Sequence, residues 1–205
     1  MKPNQPLRLF RHPISGHSHR VELYLSLLGL PCELVHVDLT KGAHKQPEFL
    51  AMNAFGQVPV LQEGALTLAD SNAILVYLGE RYDTEHRFWP RTPEGKAAVQ
   101  RWLSVAAGQI AYGPAAARRV KLLGAKDDYE QAVGITERTF ATLERELTGR
   151  PFLVGEQASV ADLALYAYVA RAPEGGVALD EYPSLRAWLE RIEQLPGFVP
   201  MQLSA

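Results

Sequence analysis

Residues 53–71, NAFGQVPVLQEGALTLADS, constrain this chain more than any other stretch. A valine–proline pair heads an apolar run, Val58-Pro59-Val60-Leu61. A turn signal at Glu63-Gly64 follows, then a second alternating run with Leu66 and Leu68, then a helix start at Asp70-Ser71. Proline removes a ladder donor, so a sheet built on this run must take Pro59 at a strand start or edge. The cis form of an X-Pro bond lies only about 0.5–1 kcal/mol above trans. A cis Val58-Pro59 bond would turn the N–H and C=O of Val58 outward, where an extended peptide could pair with them. One hairpin later, Ser71 offers a hydroxyl at a helix N-terminus, where backbone N–H groups and the dipole favour a carboxylate. A peptide-pairing edge beside an anion socket points to a small, anionic, peptide-like ligand.

The chain has 205 residues, enough for one large or two small domains with a real core. Its formal net charge of -2 argues against a nucleic-acid binder, which would carry a basic surplus. No apolar run approaches the roughly 20 residues that span a bilayer. The N-terminal segment MKPNQPLRLFRHP lacks the apolar centre of a signal peptide, so a cytoplasmic location away from membranes is expected. The single cysteine, Cys32, excludes an internal disulfide and a C-x-x-C redox pair. Thiol chemistry would therefore use a sulfur brought by the ligand, with Cys32 a small core or near-surface residue.

Taken in order, Leu7, Leu9 and Phe10 predict a short strand. A turn-like stretch, residues 12–17, leads to Ser18 as the N-cap of a helix carrying Val21, Leu23, Tyr24, Leu25, Leu27 and Leu28, stopped by Gly29 and Pro31. Leu34, Val35 and Val37 predict a second strand, parallel to the first through a right-handed crossover. Residues 41–52 read as a polar loop with a weakly helical second half. The hairpin and the helix opened at Ser71, with Ile74, Leu75, Tyr77 and Leu78, complete a β-α-β then β-β-α order, the thioredoxin-like arrangement. Periodicity breaks over residues 83–92, which predicts a linker between a first domain, 1–82, and a second, 93–205. The second is expected to be an all-α helical bundle. A helix over 94–117 should bend or end at Gly113-Pro114, and Asp127 or Asp128 should cap another running to Leu147. Ser159-Val160-Ala161-Asp162 reads as a capping box with aspartate in place of glutamate, before an apolar helix over 163–170. A last helix follows Pro183 and is stopped by Pro196-Gly197.

In this order, HPISGHSHRV at 12–21, AHKQPEFLAMNAFGQVPVL at 43–61, ADSNAIL at 69–75 and SVADLALY at 159–166 resemble the soluble glutathione transferase family over nearly the whole chain. The spacing of Ser15 and Arg20 and the His44-Lys45 pair resemble its serine-type, phi/theta-like members; no tyrosine precedes Tyr24. The resemblance implies that Ser15 hydrogen-bonds the thiol of glutathione, the co-substrate. His44 and Lys45 would hold the glycyl carboxylate, Gln57 would contact the tripeptide, and Val58 would pair its cysteinyl backbone. Asp70 and Ser71 would hold the γ-glutamyl end, although the family usually carries glutamate before that serine. Phe55 would anchor a homodimer. Ile14, Trp102, Tyr112 and Leu122 would contribute to the pocket for a small-molecule electrophile.

The residues have other readings. Ser18 could be the thiol donor with Ser15 idle, and Ser71 a plain N-cap. His44 and Lys45 could be a solvated loop. His12, His17 and His19 lack the nearby thiolate or carboxylate that would complete a zinc set, so no metal is expected. Arg118, Arg119 and Lys121 could complement a helix C-terminus or sit over an acidic co-substrate. A free thiol has a pKa of about 8.5, and lowering it by two units needs roughly 2.7 kcal/mol. A hydroxyl donating to a charged group supplies about 1.5–3 kcal/mol and a helix N-terminus about 0.3–1 more, so no general base is required. The leading expectation is a glutathione-dependent transferase, with peroxidase or disulfide-reductase activity within its chemistry. The rivals are a non-catalytic binding or assembly module and a carrier of apolar ligands.

Overall fold

The computed structural model describes residue 3 and residues 5–204. The chain divides into two compact units, Met1–His86 with Pro196–Leu203, and Arg87–Leu195 with Ser204–Ala205.

The first unit is built on a four-stranded mixed sheet in the order β2-β1-β3-β4, with β1 at Leu7–Arg11, β2 at Cys32–His36, β3 at Val60–Glu63 and β4 at Leu66–Ala69. Strands β1 and β2 pair in parallel, and the other two ladders are antiparallel. Side chains alternate along a strand, so each strand addresses two layers. Leu7 and Leu9 are fully buried on one face, while Phe10 and Val60 meet Phe49 and Met52 of α2 (Pro47–Met52) on the other. Helices α1 (Gly16–Leu27) and α3 (Ser71–Tyr82) pack together, contributing Val21, Leu23, Tyr24, Ile74, Leu75 and Leu78 to the core. Tyr77 and Tyr82 of α3 both donate to the Glu63 carboxylate at the end of β3. This is the thioredoxin-like order expected from the sequence. The returning segment at 196–203 is fastened to α1, where Ser26 Oγ donates to the Gly197 carbonyl at 2.7 Å and His19 Nε2 to that of Val199 at 2.8 Å.

Two local expectations shift. Helix α1 begins at Gly16, not after Ser18, because Ser15 takes the N-cap place and accepts the Ser18 N–H. Val37 lies just past β2 and is buried in the α2-side core.

The second unit is helical, with α4 at Pro93–Val105, α5 at Pro114–Leu123, α6 at Tyr129–Leu147, α7 at Val160–Ala170 and α8 at Pro183–Glu193. Between α4 and α5 the chain makes a π-helical turn, Ala106–Ile110, so the helix expected over 94–117 is broken as well as ended at Gly113-Pro114. A Cβ on Gly113 would stand 2.6 Å from the Gln109 carbonyl oxygen and 3.0 Å from Ile135 of α6, so that close approach needs glycine. Asp128 caps α6 by accepting the Gln131 N–H. Residues 160–169 of α7 are all buried, as its uniformly apolar sequence requires. Asp162 anchors this helix: its carboxylate accepts from Leu153 N–H at 2.9 Å, Ser159 N–H at 2.7 Å, Ser159 Oγ at 2.8 Å and Trp188 Nε1 at 2.8 Å. The Glu144 carboxylate of α6 takes the N–H groups of Ser184 and Leu185, satisfying the first turn of α8.

Candidate active site

Strand register decides what meets at the end of the sheet. Phe10 pairs with Val60, and Val60 with Ala69, so these three residues form one row across β1, β3 and β4. The C-terminal end of β1, the N-terminal end of β3 and the C-terminal end of β4 therefore share one edge of the sheet. Beyond that row come the turn carrying Ser15, the cis Val58-Pro59 peptide, and Asp70-Ser71. Elements distant in sequence thus bring the expected thiol-contacting and γ-glutamyl residues to the same end.

Ser15 is half-buried, and its Oγ accepts the Ser18 N–H at 3.2 Å. That bond occupies a lone pair and leaves the hydroxyl proton available. Ser18 is buried at 1% exposure, with its Oγ accepting the His12 N–H at 3.4 Å. The turn is closed by Ser15 N–H donating to the His12 carbonyl. The His12 ring lies 5.5 Å from that of His36, and its buried Nδ1 has no hydrogen-bond partner among the described residues. Burial, then the His36 ring, lower the His12 pKa below the usual histidine value, with Asp38 pulling the other way.

Asp70, not Ser71, is the N-cap of α3, accepting the Ala73 N–H at 2.9 Å; Ser71 is the first residue of the helix. Asp70 has φ 72° and ψ 124°, a conformation that costs a non-glycine residue about 1–3 kcal/mol and that clusters at ligand sites. Ser71 is buried, and its Oγ accepts from Arg20 Nη1 at 3.2 Å. The same Nη1 donates to Asn72 Oδ1 at 2.9 Å. Sequence reasoning noted Arg20 only for its spacing from Ser15; its burial beneath α3 depends on a contact 51 residues away.

The segment at 43–57 folds on itself. Lys45 Nζ donates to the carbonyls of Phe55 at 3.0 Å and Gly56 at 3.1 Å. Gly56 has φ 57°, and a Cβ there would stand 2.6 Å from the His44 carbonyl oxygen. Asn53, which sequence reasoning passed over, is buried and bridges the loop, with Nδ2 donating to the Gln57 carbonyl and Oδ1 accepting the Phe55 N–H. His44 is half-buried, its Nδ1 has no hydrogen-bond partner among the described residues, and burial, then Lys45, lower its pKa. Gln57 is exposed and Val58 half-buried.

Ile14 is half-buried in the Ser15 turn. In the helical unit Tyr112 is 66% exposed, Leu122 half-buried, and Trp102 buried beneath the Arg101 guanidinium. Arg118 is buried and paired with Glu174 at 2.6 Å, so it serves that ion pair. Burial pushes the Cys32 thiol up to about 11, which leaves it protonated and a poor nucleophile near neutral pH. Among the described residues no group of three or more His, Cys, Asp or Glu converges on a metal position, and no helix is long and apolar enough to cross a membrane.

The chain thus consists of a thioredoxin-like unit, with Ser15, the cis Val58-Pro59 peptide and Asp70-Ser71 beyond one row of its sheet, and a helical unit. The pattern of the glutathione S-transferase N-terminal domain matches residues 5–80, and that of the C-terminal domain matches residues 101–196. Human glutathione S-transferase theta-2 is 34% identical over 200 residues, covering 93% of this chain and 82% of the relative. Glutathione S-transferase 3 of Zea mays is 34% identical over 207 residues, covering 94% and 91%. The crystal structure of a glutathione S-transferase from Pseudomonas fluorescens superposes with a TM-score of 0.88 at 33% identity, covering 96% of this chain and 99% of the other. The chain belongs to the glutathione S-transferase family. It is a glutathione-dependent transferase, with glutathione as co-substrate. The family acts on electrophiles and is typically dimeric. The non-catalytic reading is not favoured.

Proposed function

We propose that Ser15 activates the glutathione thiol by donating its free hydroxyl proton to the sulfur, in a cytoplasmic enzyme. The observation that carries this reading is the pair of bonds in the turn: Ser15 accepts the Ser18 N–H and keeps its own proton, while Ser18 is buried against His12. The thiol proton leaves to solvent, and the thiolate, held by the hydroxyl and the start of α1, attacks an electrophilic carbon. A C–S bond forms as the bond to the leaving group breaks. The same thiolate could reduce a peroxide or a disulfide. The γ-glutamyl end lies against Asp70 and Ser71, the cysteinyl backbone pairs with Val58, and Gln57 contacts the tripeptide.

The glycyl carboxylate is received by His44 and Lys45. Lys45 spends two of its three donors on Phe55 and Gly56, so it mainly shapes the loop. Lowered by burial, His44 acts as a neutral donor.

The test is the pH profile of conjugation to a chlorodinitrobenzene-type substrate. Ser15→Ala should raise the apparent thiol pKa by about one to two units and cut neutral-pH turnover about ten- to hundredfold. Full turnover in Ser15→Ala, with loss in Ser18→Ala, would move the donor role to Ser18.

A further inference from the structure

We propose that Arg20 is a positioning residue for glutathione recognition, holding the Ser71 hydroxyl so that its proton points at the γ-glutamyl carboxylate. The inference rests on the glutathione site proposed above.

The argument starts from donor and acceptor counts. A serine hydroxyl has one proton and two acceptor lone pairs, whereas a guanidinium has only donors and stays charged. Arg20 Nη1 lies 3.2 Å from Ser71 Oγ. Ser71 must therefore accept on that side, and its proton is directed elsewhere. The Asn72 side-chain Oδ1, 2.9 Å from the same Nη1, accepts a second bond that helps to fix the guanidinium in place. At 1% exposure for Arg20 and 4% for Ser71, water does not compete for these bonds.

Packing alone does not account for an arginine here. A buried guanidinium carries a large desolvation cost, and an apolar side chain of similar volume often joins two helices as well or better. What the guanidinium adds is a permanent donor and a positive charge behind the N-terminus of α3, where the helix dipole already favours an anion. The serine at the thiol end is prepared in the same way, since the Ser18 N–H occupies Ser15 Oγ as Arg20 occupies Ser71 Oγ. The same device would then orient both hydroxyls, one toward the sulfur and one toward the carboxylate.

The experiment compares glutathione with γ-aminobutyryl-cysteinylglycine, the same peptide without its γ-glutamyl α-carboxylate, in the full-length protein. Arg20→Lys and Arg20→Gln should raise KM for glutathione about ten- to hundredfold with kcat nearly unchanged, and leave KM for the analogue unchanged. Because removing a buried arginine can prevent folding, Asn72→Ala is measured beside them. It keeps Arg20 but removes the Oδ1 acceptor of its Nη1, and should raise the glutathione KM several-fold. Ser71→Ala combined with Arg20→Lys should cost no more than Ser71→Ala alone. If Ser71→Ala raises KM while Arg20→Lys and Asn72→Ala do not, the positioning role is overturned and the glutathione site stands. Equal losses with both peptides would reduce Arg20 to a structural part, again overturning the inference. If Ser71→Ala leaves the glutathione KM unchanged, the γ-glutamyl assignment itself fails.

Discussion

Asp70 holds a backbone conformation that side chains rarely adopt, at the N-cap of α3 where the γ-glutamyl end of glutathione is proposed to bind. Asp70→Gly would relieve roughly 1–3 kcal/mol of strain and lose only a few tenths through the weaker cap, so the thermal midpoint should stay level or rise. The glutathione KM should nevertheless rise about tenfold, since the proposed site loses the carboxylate assigned to the peptide's γ-glutamyl end. A thermal melt and a KM measurement on one preparation separate the two effects. At His12 the sign runs through the folded-state pKa, lowered by burial and by His36. The unfolded chain binds a proton more readily, so this contribution to stability is complete above the ordinary value near 6.5 and is lost as pH falls below it. His12→Gln should therefore flatten the fall in melting temperature between about pH 7 and pH 5. A midpoint slope identical to that of the parent protein would contradict it.

Among the elements, α7 depends on a single carboxylate. Asp162→Ala would leave four donors unsatisfied around a buried site, a loss of about 3–5 kcal/mol or more, and a midpoint lower by roughly 10 °C. Asp162→Asn keeps one acceptor oxygen and should lose about half as much. Calorimetry distinguishes the two. The capping-box spacing made this residue legible in the sequence, but its bonds to Leu153 and Trp188 are long-range and left no local mark. The sheet hairpin, α3 and the helical second unit were likewise readable from periodicity and from Gly and Pro punctuation. The start of α1 lies three residues ahead of the position expected from Ser18, because Ser15 and Ser18 have equal capping propensity, and only the turn geometry around His12 chooses between them. The π-helical turn in an alanine-rich run has no signature in residue type. Arg20 could be found from pattern only as a permanent charge among the residues that α1 buries.

At the scale of the molecule, Phe55 is the most exposed large hydrophobic among the described residues, at 80% exposure on a loop held by Asn53 and Lys45. Read as a dimer anchor, it predicts that Phe55→Ala weakens self-association by about 2 kcal/mol or more, roughly thirtyfold in the dissociation constant. Sedimentation across a concentration series gives the answer, and an unchanged dimer would remove the anchor role. The chain leaves the first unit after His86 and re-enters it at Pro196, where Gly197 and Val199 supply acceptors to Ser26 and His19. During synthesis, then, the first unit is completed only after the inserted residues 87–195 have been made. A nascent thioredoxin-like half must wait on the ribosome until every helix of the insert has emerged before its final segment can dock.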